Sequence, residues 1–332
     1  MITDLVKKYP DVLIPVIDGD YQLVYEPDPE KPKTWMVNDH CLIKDDDGLI
    51  HYFGIENPFP STTDGMERTK EFLVQSEQPF IKTLNRVIHR HLYGPGTHYR
   101  VGHAVAENIW GPWERLPAAV GGDVEEHHGS PYVVKHDGKY WMFEPEGYDG
   151  DGSTGIFTSP DLHSWTSVTD ATSWWDVDVF GPGGHRDPCL IRLENGKYLQ
   201  YFAGNDPSDR HTIRIASSDD LKTWQAEEPC YIEKLHDPVF SGVFESPYVL
   251  RKGSLYYLFI GFSHRHYYET IVVVSDDPWH FPVENKLTTL FSHAAEFIEL
   301  DGETYISSCG IEDPQVLNRS GLYIAKIRWL EP

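Results

Sequence analysis

Three short motifs place a carboxylate at the start of an apolar, strand-like run: "NDHCLI" with Asp39, "RDPCLI" with Asp187 and "ESPYVL" with Glu245. Burying a charged side chain is unfavourable unless it is paired, so these positions need an explanation. Carboxylates that converge repel one another and raise each other's pKa, which suits a site that transfers protons. Glycoside hydrolysis requires this chemistry, because an un-ionised acid protonates the leaving oxygen while a carboxylate attacks the anomeric carbon or activates water.

A repeated pattern spans the chain and positions these motifs. It consists of a small or acidic residue, an apolar run, a Gly-containing turn and an aromatic run, and it occurs in five copies, at 38–55, 129–144, 186–204, 245–262 and 293–310. Each copy predicts a β-hairpin. A second β-rich element follows each copy, so each repeat predicts four strands. Repeats of this kind are typical of a propeller, whose blades pack around a central axis.

We therefore predict an all-β protein, a five-bladed β-propeller with four-stranded antiparallel blades. No Pro- or Ser-rich linker divides the sequence, which favours a single domain over residues 1–332. Residues 61–96 have helix-like apolar periodicity and predict a helical insertion between the two hairpins of blade one. The insertion would act as a lid, a packing strut or an oligomer contact, of which packing is favoured. Residues 11–27 predict a further strand pair that helps to close the ring.

In a propeller the innermost strands line the axis, so the starts of equivalent strands converge on one mouth. The residue pairs in matching register are Asn38-Asp39, Gly129-Ser130, Arg186-Asp187, Glu245-Ser246 and His293-Ala294. Any one of the acids could instead cap a turn, as Asp and Ser often do before Pro. Three acids in matching register favour a shared pocket over three separate caps.

The segments "WMVNDH", "HRDP" and "FESP" resemble, in the same chain order, the three acidic motifs of the five-bladed β-propeller glycosidases of families 32 and 43. The resemblance implies that Asp39 is the nucleophile of a retaining enzyme or the general base of an inverting one, and that Glu245 is the general acid. Asp187, helped by Arg186, would hold sugar hydroxyls and tune the acid. Blade one departs from the pattern, because Val37 is inserted and His40 stands where proline is expected.

Further residues near the predicted mouth are expected to bind the sugar. Aromatic faces stack on sugar rings, and polar side chains bind hydroxyl groups; the candidates are Trp35, Asn38, His128, Ser130, Trp175 and His293. His128 could equally be a loop histidine satisfied by backbone groups. His293 resembles a histidine that family 43 members often have at this position, near a central ion or water. The resemblance implies a possible cation at His293, and a hydrogen-bonding role is favoured over a metal ligand. No organic cofactor and no metal set is predicted.

Composition excludes several partners. The chain has 332 residues with 52 acidic and 28 basic side chains, a formal net charge of −24, so a phosphate backbone would be repelled and nucleic acid is not expected to bind. No run reaches the ~20 apolar residues of a membrane span. The four cysteines are far apart and the N-terminus lacks a signal-like apolar run, so we expect a cytoplasmic protein, or a secreted one whose signal was removed. A homo-oligomer is compatible with the sequence.

Together these observations predict an exo-type glycoside hydrolase acting on a small furanoside, with arabinofuranose or fructofuranose as the terminal sugar. The first alternative is a phosphate-dependent phosphorylase similar to family 130, favoured by the basic segment 263–268 and by Arg210-His211. The second is a catalytically silent sugar-binding propeller, which would have no need of all three acids. The repeated Trp165 and Trp224 are predicted to pack between blades.

Overall fold

The computed structural model describes residues 2–31, 35–58, 100–121, 128–144, 155–173, 176–180, 185–204, 212–233, 244–262, 268–309 and 321–332. Its strands form five antiparallel sheets, which confirms the predicted all-β propeller with four-stranded blades. Two short helices, α1 (Ile2–Lys8) and α2 (Val177–Phe180), and a 3-10 turn at Val283–Asn285 are the helical segments among these residues. No helix in the described ranges is long and apolar enough to cross a membrane.

Each blade uses consecutive strands. Blade one contains β2 (Trp35–Lys44), β3 (Ile50–Pro58), β4 (Arg100–Ala106) and β5 (Glu114–Val120). Blade two contains β6 (Tyr132–His136), β7 (Lys139–Phe143), β8 (Ile156–Ser159) and β9 (Thr166–Ser167). Blade three contains β10 (His185–Arg192), β11 (Tyr198–Gly204), β12 (Thr212–Ser218) and β13 (Gln225–Ala226), and β12 also pairs with the short β14 (Tyr231–Ile232).

Blade four contains β15 (Phe244–Lys252), β16 (Leu255–Phe262), β17 (Glu269–Ser275) and β18 (Lys286–Phe291). Blade five contains β19 (Phe297–Leu300), β20 (Glu303–Ser308), β21 (Leu322–Leu330) and the N-terminal β1 (Ile14–Tyr25). The first strands of neighbouring blades contact one another: β2 lies against β6 and β19, and β10 lies against β6 and β15. These strands therefore surround the axis.

The N-terminal segment closes the ring in a different way from the one expected. The prediction of a strand pair at 11–27 is wrong, because β1 is a single long strand that pairs with β21 as the outer strand of blade five. The turn-like "DGD" at 18–20 is a bulge in that strand, where the register shifts between Asp18 and Gln22 and Gly19 has a φ of +83°. A Gly at positive φ suits a bulge as well as a turn, so local sequence does not separate them.

β3 and β4 pair with each other as the second and third strands of blade one, and residues 59–99 connect them along the chain. The predicted helix at 61–96 lies outside the described residues, so its helical structure stays a prediction.

Blade interfaces form the core, and they explain the repeated tryptophans. The Trp224 ring of blade three packs edge-on against Phe143 of blade two, and the Trp165 ring of blade two packs edge-on against Phe53 of blade one. Both contacts confirm the predicted packing between blades. The acid before Trp224 orders its loop: Asp220 Oδ1 accepts hydrogen bonds from the backbone N–H groups of Lys222 and Thr223.

A buried polar contact fastens blade five to blade one. The Tyr25 hydroxyl, at the end of β1, donates to Glu56 Oε1 at 2.6 Å, and Arg115 Nη2 donates to Glu56 Oε2 at 2.9 Å. The Glu56 side chain crosses Gly102 on the next strand, where an added Cβ would lie 2.1 Å from its carboxyl carbon. The absence of a side chain at Gly102 thus allows the ring-closing contact.

We expect Tyr25→Phe to lower the free energy of unfolding by about 1 to 3 kcal/mol, because it removes a buried hydrogen bond to a carboxyl group. Urea unfolding of both proteins measures the change. Tyr305→Phe, at a second buried tyrosine of the same core cluster, is the control and should cause a smaller loss. Equal losses in the two variants would contradict the assigned role of the Glu56 contact.

A second buried polar cluster links two histidines of blade one. His51 Nδ1 lies 2.9 Å from His103 Nε2, and His51 Nε2 lies 3.3 Å from Asp45 Oδ2. Burial lowers the pKa of both imidazoles, that of His103 to about 3. Both rings are therefore neutral in the fold at neutral pH, with His51 donating to Asp45 and accepting from His103.

Below the ordinary histidine pKa of about 6.5 the unfolded chain binds protons that the folded chain does not, so folding stability is lost as the pH falls. We expect His51 and His103 each to contribute a decrease in the free energy of unfolding of up to about 1.4 kcal/mol per pH unit between about pH 6.5 and pH 5, against an opposite contribution from buried acids whose pKa is raised. His103→Gln should remove its share of that decrease from the slope, whereas His280→Gln, at an exposed position, should leave the slope unchanged. Urea unfolding at several pH values tests this, and a slope that His103→Gln does not alter would refute it.

Candidate active site

Backbone irregularities at the strand starts present the candidate residues to the axis. The hairpin register shifts between Asn38 and His40 in blade one, between Arg186 and Cys189 in blade three, and between Glu245 and Tyr248 in blade four. Such bulges redirect a side chain that regular pairing would place in the sheet. Asp187, Ser246 and Ala294 have φ values of +56°, +47° and +46°, which confirms that they occupy equivalent positions in three successive blades.

Asp187 is held by neighbours from three blades. Ser130 Oγ of blade two donates to Asp187 Oδ1 at 2.6 Å. Arg186 Nη1 and the backbone N–H of Ser246 in blade four both donate to Oδ2 at 3.0 Å. With both oxygens bonded and 6% exposure, this carboxylate has a fixed orientation.

Arg186 joins two of the predicted acids. Its Nη1 also donates to Glu245 Oε2 at 3.1 Å, and its Nη2 donates to the Phe244 carbonyl at 3.0 Å. The other Glu245 oxygen, Oε1, lies 3.1 Å from His293 Nε2. Blades three, four and five thus meet at one polar centre.

Asp39 belongs to the same network. Ser246 Oγ donates to Asp39 Oδ1 at 3.1 Å, and Asn38 Nδ2 donates to Oδ2 at 3.0 Å. Ser246 therefore bridges two acids, with its hydroxyl on Asp39 and its N–H on Asp187. The structure brings Asp39, Asp187 and Glu245 together, as the register of the repeats predicts.

The pKa values of Asp39 and Glu245 are shifted in opposite directions. Burial raises the pKa of Asp39 to about 7, and the charges of Asp187 and Glu245 raise it too, against the lowering effect of His293 and Arg186. Burial also raises the pKa of Glu245, but the hydrogen bond from His293 and the charge of Arg186 outweigh it, so the net pKa lies below its usual range. Asp39 thus has the higher proton affinity of the two.

The remaining predicted residues occupy different places. Asn38, Ser130 and His293 are in the acid network described above. His128 is buried with Nδ1 3.1 Å from Glu144 Oε2, and the Trp35 ring lies under the guanidinium groups of Arg100 and Arg115 at 4.5 and 4.4 Å. Trp175 lies outside the described residues. Direct sugar contacts by these side chains stay predictions.

Sequence reasoning missed three contributors to the site. The repeats give the register position of Ser246, which is the one that Asp187 occupies in blade three, but they predict no role for its hydroxyl or its N–H. Glu296 lies just beyond His293, and burial followed by the charge of Asp39 raises the pKa of its carboxyl well above the usual range. The Cys309 carbonyl oxygen lies 3.1 Å from His293 Nδ1, a backbone contact that no side-chain pattern reports.

The described residues contain no group of three or more His, Cys, Asp or Glu side chains arranged to hold a metal ion. Both ring nitrogens of His293 lie at hydrogen-bonding distance from protein oxygens. The cation near His293 therefore stays a prediction, and no step below depends on it.

Comparison with known proteins shows which solved structures share this fold. No family model and no curated protein sequence matches the chain. A GH43 β-xylosidase/α-arabinofuranosidase from a compost microbial metagenome, in complex with xylotriose, is 14% identical, with a TM-score of 0.57 over 95% of each chain. The chain shares its fold.

Two further solved structures agree with this. An exo-1,5-α-L-arabinanase from a bovine ruminal metagenomic library is 15% identical, with a TM-score of 0.55 over 90% of this chain and 94% of its own. A GH43_1 enzyme from Xanthomonas citri is 11% identical, with a TM-score of 0.59 over 92% of this chain and 89% of its own. The predicted resemblance in fold to the five-bladed propeller glycosidases is confirmed.

We expect Asp187→Asn to lower the pKa of Asp39, because it removes a neighbouring negative charge that disfavours the Asp39 carboxylate. The amide can keep the geometry, since Ser130 can accept from its Nδ2 while the amide oxygen still faces Arg186 and Ser246. Carboxyl 13C NMR as a function of pH measures the shift. Glu299→Gln, which removes an equal charge at an exposed ion pair with Lys252, should leave Asp39 unchanged; an unshifted Asp39 in Asp187→Asn would contradict the coupling.

Proposed function

We propose that this protein is a glycoside hydrolase that releases a terminal furanosyl residue, arabinofuranose or fructofuranose, from a small glycoside or oligosaccharide. The observation that carries the proposal is the convergence of Asp39, Asp187 and Glu245 from three blades on one hydrogen-bonded network. Three acids brought together against their repulsion suit a reaction that needs both a base and an acid. The fold shared with arabinanase and xylosidase structures supports the same class of substrate.

The proton affinities support a role for each acid. A general base works best with a pKa near the operating pH, and the value of about 7 for Asp39 meets this requirement. We therefore propose that Asp39 removes a proton from water, as the general base of an inverting mechanism does. Glu245 protonates the leaving oxygen, and Asp187 with Arg186 fixes the position of Glu245 through the shared guanidinium.

A substrate panel tests the activity. We expect wild type to hydrolyse p-nitrophenyl α-L-arabinofuranoside or β-D-fructofuranoside faster than the xylopyranoside, and Asp39→Asn and Glu245→Gln each to lose about 10²- to 10⁴-fold in kcat. Asp46→Asn, at an exposed ion pair with Lys135, is the matched control and should retain full activity. Equal rates in wild type and both site variants would end the catalytic assignment.

Product analysis separates the competing functions. Proton NMR of the first product shows whether the anomeric configuration is inverted, as we expect, or retained. Addition of inorganic phosphate tests the phosphorylase alternative, whose basic residues at 210–211 and 263–267 lie outside the described residues. Formation of a sugar 1-phosphate would show that the protein is a phosphorylase and not a hydrolase. Sugar binding without turnover would indicate a catalytically silent propeller.

A further inference from the structure

The His293 ring is constrained at both nitrogens. It is 1% exposed, with Nδ1 3.1 Å from the Cys309 carbonyl oxygen and Nε2 3.1 Å from Glu245 Oε1. A carbonyl oxygen can only accept a hydrogen bond, so Nδ1 carries a hydrogen whether the ring is neutral or charged. The backbone of residue 309 therefore sets the tautomer of His293.

This tautomer has a consequence for Glu245. If Nδ1 is protonated, the contact between Nε2 and Oε1 needs one more proton, because a bare Nε2 and an ionised carboxylate are both acceptors. In one form, a neutral ring accepts a hydrogen bond from un-ionised Glu245. In the other, an imidazolium donates a hydrogen bond to the Glu245 carboxylate. In both forms the pair holds one proton.

The surrounding charges decide where that proton rests. Arg186 donates to the other oxygen of Glu245, and its charge favours the carboxylate form of Glu245. His40 is kept neutral because burial, and then the charge of His293, lowers its pKa to about 3. The Tyr268 ring, 6.4 Å from the His293 ring, and the Cys309 thiol, whose pKa burial raises well above its usual range, are uncharged neighbours.

We propose that His293 is a positioning residue that stores the proton which Glu245 gives to the leaving group. This assignment rests on the proposed hydrolysis. A lone Glu245 beside Arg186 would be ionised near neutral pH and could not act as an acid, whereas in the pair the carboxylate can take back the proton that it shares with the imidazole.

Each proton that is transferred in one turnover has a donor and an acceptor in this scheme. The proton moves from His293 to Glu245 and then to the glycosidic oxygen, which takes the electron pair of the breaking bond to the anomeric carbon. Water forms the new bond to that carbon and loses its proton to Asp39. Asp39 then releases this proton to solvent, and the pair of Glu245 and His293 takes up one proton, so the net change is addition of water across the glycosidic bond.

Leaving-group dependence tests the role in acid catalysis. We expect His293→Gln, whose amide can donate to Glu245 but stores no proton, to move the alkaline limb of the kcat/KM profile down by at least about one pH unit. At pH 7 an alkyl glycoside, which needs the acid, should lose about 10²-fold and a dinitrophenyl glycoside of the same sugar less than about tenfold. His280→Gln, at an exposed position, should change neither. An equal loss on both substrates with an unmoved alkaline limb would assign His293 a structural role only and overturn the proposal.

Nitrogen NMR tests the shared proton without reference to activity. In protein labelled with 15N-histidine, the His293 signal is the one missing from His293→Gln. We expect Nδ1 to stay protonated at every pH and Glu245→Gln to lower the pKa of His293 by at least about one unit, because the charge that stabilises the imidazolium is gone. An unchanged His293 titration in Glu245→Gln would overturn the proposal. A lowered titration in a protein that cleaves no glycoside would confirm the shared proton and refute the proposed function instead.

Discussion

The contact on which the site depends is the bridge that Arg186 makes between Asp187 and Glu245. Carboxylates drawn out of water repel one another strongly, and a guanidinium with several fixed donors can hold two of them at 3.0 and 3.1 Å. The two acids raise the pKa of Arg186 although burial lowers it, so the guanidinium stays charged. The third acid, Asp39, is held instead by the hydroxyl of Ser246 and the amide of Asn38, and it keeps the raised pKa.

This division gives similar side chains different chemistry. Asp39, which is partly exposed, and Glu245, which is buried, are carboxyl groups of one network, yet the pKa of the first is raised and that of the second is lowered. The difference comes from their hydrogen-bond partners. Asp39 accepts from neutral donors, whereas Glu245 is held by Arg186 and His293. A base poised near neutral pH follows directly from this arrangement, whereas an acid requires the additional proton held with His293.

The propeller makes such a site possible because its rigid elements converge. Left-handed backbone at Asp187, Ser246 and Ala294 costs on the order of 1–3 kcal/mol per residue, and it persists only where the surrounding packing enforces it. Ala294 lies in the same buried cluster as Tyr25, and Phe244, two residues before Ser246, lies in a second buried cluster. Bulges at the innermost strands turn the acids toward the axis, where strands from different blades lie side by side.

The sequence by itself determined the five repeats, their hairpins and the acids in matching register, because alternating apolar residues and Gly-containing turns act over a few neighbouring positions. Only the tertiary structure decided that Gly19 lies in a bulge, since its strand pairs with β21 from the other end of the chain. It also decided the partners of each acid: Ser246 joins Asp39 to Asp187, and Cys309 sets the tautomer of the histidine beside Glu245. Proton affinity depends on burial and on charges within a few ångströms, and the fold brings together partners that are far apart in the sequence: His293 and Glu245 are 48 residues apart, and Ser246 and Asp39 are 207 residues apart.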